Sequence, residues 1–122
     1  MKILNPETVV KPASSYAQGV VHAAGAERMV ISGQLGLRPD GVLEVGLEAQ
    51  MERAWSNLFA VMAAGGFERE HLLRATIYVT LSGQVAVYRK VRDRMLAGHL
   101  CAKSHQIFRR VWVGDGHNHR EV

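Results

Sequence analysis

Residues Leu47 to Ala64 place the tightest constraint on what this chain can fold into. Leu47, Met51, Ala54, Trp55, Leu58 and Met62 recur at three- and four-residue steps and so share one side of an α-helix. Glu48, Glu52, Arg53 and Asn57 lie off that stripe. A helix of this kind must bury its stripe against another element. Gly65-Gly66 ends it, because glycine takes the left-handed cap conformation at no steric cost. At helical spacing, Trp55 is expected in the core rather than as a ligand platform.

The period then changes. In Leu72 to Thr80, Ala75, Ile77 and Val79 fall on one face of a strand and Thr76, Tyr78 and Thr80 on the other. A Thr-Tyr-Thr face is suited to packing against a subunit partner. A second helix is expected from about Gly83 to Gly98, capped by Ser82 and closed by Gly98. Its narrow apolar line is Val87, Val91 and Met95, with Val85 and Tyr88 beside it. Arg89, Lys90, Arg92 and Arg94 are read as its solvated outer face. A further strand begins near Ala102. Beyond it Ile107, Val111 and Val113 are strand-like, whereas Gly114 to His119 are not.

Upstream, Gly19–Ala24 and Arg28–Gly36 read as a hairpin turning at Gly25-Ala-Glu27. Val30 and Ile31 suit a pleated sheet, and Gly33 lets the backbone approach a ligand or turn sharply. Pro6 and Pro12 make residues 1–13 an extended lead-in. Pro39-Asp40-Gly41 is a turn of fixed φ, local acceptor and free φ. The order is thus two strands, helix, strand, helix, strand. Two helices cannot cover both faces of a sheet, so an α+β layer is expected, its other face buried by copies of the same chain.

With 122 residues and 48% hydrophobic content, the chain is read as one domain over 1–122. No apolar run approaches the ~20 residues that span a bilayer, so no membrane association is expected. The N-terminus has no continuous apolar segment of a secretory signal, and Cys101 is the single cysteine; both fit a cytoplasmic setting. Net charge is +4: residues 1–88 hold seven Lys/Arg and eight Asp/Glu, and residues 89–122 hold eight and three. The basic end has no aromatics interleaved as a base-stacking platform, so a solvated face is expected rather than a nucleic-acid surface.

Several segments together resemble the RidA proteins, also called the YjgF family. They are Ser15-Tyr-Ala-Gln18, Val30-Ile-Ser-Gly-Gln34, Glu48-Ala-Gln50, Asn57-Leu58 before Ala63-Ala-Gly-Gly66, Ala75-Thr-Ile-Tyr-Val-Thr80 and Ala102-Lys-Ser104. The likeness is strongest over residues 12–104, and residues 105–122 form a divergent tail. It implies a chorismate-mutase-like α+β fold, a mixed sheet with two helices on one face, and a homotrimer formed through the sheets. It also implies clefts between subunits that take small anionic metabolites, with no metal or organic cofactor. Best-known members hydrolyse enamines and imines such as 2-aminoacrylate to 2-oxo acids and ammonia. Some relatives are described as endoribonucleases or translation inhibitors and others have no assigned activity, so the alternatives for this chain are a non-deaminating homologue that binds an anionic metabolite at the subunit interface and an RNA-directed activity.

The resemblance nominates Tyr16, Ser32, Gly33, Tyr88, Lys103 and His105 as ligand-binding positions, His105 through its backbone, and assigns no catalytic residue. Three places depart from the family's pattern. Lys103 stands where deaminating members have an arginine, and offers a point charge in place of a bidentate fork. Tyr88 stands where many members have asparagine. The apolar last strand with its glutamate is not recognisable; Asn118 lies near the expected place with Glu121 close by, in a tail unlike a sheet strand, as a divergent terminus or an altered reading frame would produce.

Other candidates carry simpler readings. His117 and His119 with Asp115 have no third ligand on a rigid element, so no metal site is assigned. His22 and His71 are isolated. Cys101 lies beside basic residues but has no positioned base in the sequence, so a structural role is expected.

Overall fold

The structure, a computed structural model, describes residues 1–12, 14–79, 83–107, 112–114 and 119–121, with side chains described as far as Ala102. In chain order the elements are β1 (Lys2–Leu4), β2 (Gly19–Val21), α1 (Leu47–Ala64), a 3₁₀ turn (Arg69–His71), β3 (Arg74–Val79), α2 (Val85–Leu96), β4 (Ala102–Ile107), β5 (Trp112–Gly114) and β6 (His119–Glu121). β3 and β4 pair in parallel, from Arg74 beside Ala102 to Val79 beside Ile107, and α2 is the crossover that a parallel pair requires.

α1 occupies the expected residues. Met51, Trp55 and Met62 are buried, with Leu47 and Leu58 packed against them. Trp55 is core, stacked on Phe59 at 5.8 Å between ring centres. The left-handed residue at its end is Gly66 (φ 80°), one past the C-cap Gly65. On β3 the alternation holds: Val79 is buried and Ala75 and Ile77 pack on the core, while Arg74, Thr76 and Tyr78 are exposed. Tyr88, Val91 and Leu96 of α2 join the same core with Leu72 and Cys101. Both helices therefore lie on one face of β3–β4, and the protein is α+β. The opposite face carries Tyr78, 55% exposed.

α2 differs from its expected form at three points. Its most buried positions are Tyr88, Val91, Arg92 and Leu96, whereas Val87 and Met95 are only partly covered. Arg92, read as part of the solvated basic face, is 2% exposed. Tyr88, Arg92 and Leu96 are four residues apart and form one ridge, and that ridge faces the core. The helix stops at Leu96; its C-cap Ala97 is already left-handed (φ 49°), and the expected Gly98, one residue on, is left-handed as well (φ 88°). Ser82, its expected cap, lies outside the described residues.

The expected first hairpin is not formed as a ladder. β2 pairs antiparallel with β1, Lys2 beside Val21 and Leu4 beside Gly19, so the lead-in contributes a strand. The turn forms slightly earlier than Gly25-Ala-Glu27, over Ala23–Ala26: the Ala26 amide donates to Ala23 O over 3.3 Å and Gly25 has φ 74°. The segment after it runs along α1 in the opposite direction. Met29 lies against Gly65, the Asn57 amide donates to Leu35 O (3.1 Å) and Leu37 O (2.8 Å), and Gly36 abuts Gln50. The anchors are thus on α1 and its C-terminal glycine rather than on a neighbouring strand, and Val30 is left 95% exposed. The Pro39-Asp40-Gly41 turn forms as expected. Gly41 N–H donates to Arg38 O, Val42 N–H donates to Asp40 Oδ1 (3.0 Å), and Gly41 has φ 81°.

The tail is more regular than its sequence indicates. β5 and β6 pair antiparallel with Gly114 beside His119 and Trp112 beside Glu121. Strands of three residues are too short for an alternating pattern to declare itself. Val111 and Asn118 lie outside the described residues.

Candidate functional site

The nominated residues fall on two walls, and each helix holds one of them. The first wall is Ser14–Gln18 against the start of β4. Ala17 is buried, and its N–H donates to Cys101 O over 3.1 Å. Next in the chain, Ala102 N–H donates to Leu73 O (3.0 Å), which starts the β3–β4 register. Tyr16, half-buried, is therefore set beside the strand on which Lys103 pairs with Ala75 and His105 with Ile77. Gln18 ties the same segment outward: its N–H donates to Asn5 Oδ1 (2.9 Å) and its side-chain amide to Val10 O (3.0 Å).

α2 closes this wall from below. The Arg92 guanidinium carbon stands 5.3 Å from the centre of the Tyr88 ring, one helical turn back. Arg92 Nε donates to Asp93 Oδ1 (2.9 Å) and Nη1 to Ser14 Oγ (3.3 Å). Nη2 forms an ion pair with Asp93 Oδ1 at 2.8 Å, but off the N–H axis, so it makes no hydrogen bond. Tyr88 is 4% exposed. Burial pushes its phenol pKa up, against a smaller opposite pull from Arg92, so the phenol stays neutral and able to donate. The sequence pointed to Tyr88 at a cleft; here it lies within the core, joined to the Ser14–Gln18 segment through Arg92.

The second wall is Ser32 and Gly33, both exposed, on the segment pinned along α1. Ser32 O accepts from the Gln34 side chain over 3.1 Å. Within the chain, the close backbone approach of this segment is at Gly36, and Gly33 faces open space. A Cβ at Gly36 would come within 2.6 Å of Gln50 Cα, whereas one at Gly33 would meet nothing within 4 Å. A few residues on, Asn57 of α1 holds the same segment through Leu35 O and Leu37 O.

Sequence reasoning missed Arg92, Ser14 and the Cys101 carbonyl. The ridge spacing of Tyr88, Arg92 and Leu96 was the available signal for the first. Cys101 itself is fully buried, in keeping with the structural role expected of it. The basic stretch of α2 is largely engaged: Lys90 Nζ lies 3.1 Å from Glu48 and Arg94 lies 3.5 Å from Glu48 and 3.1 Å from Glu52. Among the described residues no group of three or more His, Cys, Asp or Glu converges as metal ligands, and no helix is long and apolar enough to cross a membrane.

Residues 7–111 match the family Endoribonuclease L-PSP. The chain is 33% identical over 99 residues to protein DfrA of Myxococcus xanthus, covering 80% of this chain and 75% of the relative. Its fold superposes with a TM-score of 0.75 on YyfB of Yersinia pestis, described as a protein of unknown function of the conserved Rid family, at 21% identity over 96% of this chain and 88% of that one. It is also similar to E. coli TdcF, solved with bound serine, with a TM-score of 0.65 and 22% identity over 91% and 88% of the two chains. With its helices on one side of a parallel pair and the family's segments in family order, the chain belongs to the RidA family.

Proposed function

We propose that this protein takes a small anionic metabolite of the 2-imino acid or enamine class at a cleft between copies of itself, and hydrolyses it to a 2-oxo acid and ammonia. The observation that carries the reading is the Ala17–Cys101 hydrogen bond, which sets Tyr16 beside the strand bearing Lys103. A homotrimer assembled through the open face of β3–β4 would cover the exposed Tyr78 and bring a second copy to that wall. The bound serine of TdcF supports an amino-acid-like carboxylate as the recognised group.

In this reading Lys103 neutralises the substrate carboxylate as a point charge, and Tyr16 lines the pocket over it. 2-Aminoacrylate first tautomerises to 2-iminopropanoate. Water then adds to C2 as the imine nitrogen takes a proton, and the tetrahedral carbinolamine expels ammonia to leave the 2-oxo acid. The endoribonuclease activity in the family's name finds less support, because Lys90 and Arg94 are engaged by Glu48 and Glu52.

The test is the decay of enzymatically generated 2-aminoacrylate with the purified protein. Acceleration at micromolar protein, raised further by Lys103→Arg and lost in Lys103→Met, is the expected result. No acceleration by either the native protein or Lys103→Arg overturns the hydrolase reading. Saturable binding of a 2-oxo acid without turnover would leave a metabolite-binding protein instead. A monomer by sedimentation would remove the intersubunit cleft.

A further inference from the structure

We infer that Arg92 is the positioning residue of the candidate site: a buried guanidinium that fixes the Tyr16 segment to α2 and against the start of β4. The inference deepens the reading of Tyr16 as a site-lining residue and rests on it. Arginine is costly to bury, and replacing a buried ion pair by apolar side chains of similar volume is often neutral or stabilising. A core guanidinium is therefore poorly explained by stability. What it supplies is direction. Its planar fork sends Nε to Asp93 and Nη1 to Ser14 Oγ while its face lies on the Tyr88 ring.

The geometry makes Ser14 the point of control. Ser14 O also accepts from the Tyr16 N–H (2.9 Å), so the residue gripped by Arg92 turns the chain on which Tyr16 sits. One residue on, Ala17 is locked to Cys101. Arg92 thus joins three distant parts of the chain: the Tyr16 loop, the middle of α2 and, through Ala17, the base of β4. A Lys at position 92 could reach one of the acceptors but not hold two in a plane. A Met would fill the volume and hold neither.

The experiment is amide hydrogen exchange by NMR on the native protein and on Arg92→Met, Arg92→Lys, Ser14→Ala and the Arg92→Met/Ser14→Ala pair, with global stability measured alongside. Loss of the charge-assisted hydrogen bond should cut protection of the Tyr16 and Ala17 amides by about tenfold, with core amides of α1 unchanged. Arg92→Lys should recover part of it. Ser14→Ala should reproduce the loss, and the pair should lose no more than either single variant, because both remove one interaction. Exchange that rises uniformly across the fold, or single-variant effects that simply add, would overturn the positioning role. Ser14→Ala removes only a half-buried hydroxyl, so it keeps the test valid if Arg92→Met does not fold. None of these readouts depends on turnover, so a protein inactive on 2-aminoacrylate would fail the hydrolase reading and leave this one standing or falling on exchange alone.

Discussion

α1 and α2 pack on each other and on the same face of β3–β4, yet they bury different chemistry. α1 presents Met51, Trp55 and Met62 to the core, apolar thioethers and an indole with no charged group among them. α2 presents Val91 and Leu96 but also the Tyr88 phenol and the Arg92 guanidinium. Apolar burial is non-directional and sets how stable the layer is, whereas polar groups in a dry interior fix which atoms face which. Each helix then holds one wall: α1 through Asn57 and the close approach of Gly36, α2 through Arg92 and Ser14. The difference predicts that damage to α1 reads out as lost stability, and damage to the polar face of α2 as a misplaced wall.

The largest break in that comparison comes from α1. Trp55→Ala removes an indole that is nearly fully buried among Met51, Leu58 and Phe59, and should cost about 3–5 kcal/mol of unfolding free energy. Urea denaturation checks it. A loss below about 1 kcal/mol, the usual cost of a surface change, would show that α1 is not the apolar slab described.

The next effect separates two glycines of the same wall. Gly36→Ala drives a Cβ into the α1 backbone at Gln50 and should destabilise by about 1–3 kcal/mol, since backbone cannot yield as a side-chain tip can. Gly33→Ala meets open space within the chain and should leave stability nearly unchanged. If Gly33→Ala nonetheless weakens binding of a 2-oxo acid, the space it fills belongs to ligand or to a second copy. Thermal melts and calorimetric titration of the two variants distinguish these cases.

How far the sequence could be followed depends on what kind of force did the arranging. The α1 stripe, the β3 alternation and the Pro39-Asp40-Gly41 turn were legible because each rests on local spacing or on fixed dihedral preference. Arg28–Gly36 was not, since a Val-Ile run beside glycine looks the same whether a strand ladder or a neighbouring helix holds it. Arg92 was read with its neighbours Arg89 and Arg94 as a solvated face. Only the ridge through Tyr88 and Leu96 sets it apart, and charge obscured that ridge. Tyr16 came to notice through the family's segments alone. The bond that places it, Ala17 to Cys101, joins backbone atoms far apart in the chain and leaves no trace in either local pattern.

A smaller effect, of opposite sign, tests the end of α2. Ala97 is left-handed (φ 49°) one residue ahead of the left-handed Gly98 (φ 88°), and an L-residue there carries a Cβ clash. Ala97→Gly relieves it but gives the unfolded chain more freedom, so the net gain should be about 0.5–1 kcal/mol. The denaturation midpoint should rise without a change in slope. A fall would mean that the Ala97 methyl contributes packing that outweighs the strain.

The smallest effect lies on the surface where the two helices meet. Glu48 of α1 accepts from Lys90 and, more weakly, from Arg94, and these partners hold its carboxyl below the ordinary range. A carboxylate whose folded pKa is depressed favours the folded state at pH above its unfolded value, near 4.5, and that contribution fades as pH falls through the lower folded value. The native protein should therefore show a slightly larger loss of stability on acidification than Glu48→Gln, and the two curves should converge once the carboxyl is protonated in both states. Because Glu48 is exposed to solvent, added salt should shrink the gap at neutral pH. Arg92, shielded in the core, should show no matching salt dependence in the exchange of Ala17. A salt response at both places would mean that the two polar contacts of α2 are the same kind of interaction, and the division between its solvated edge and its positioning face would fall.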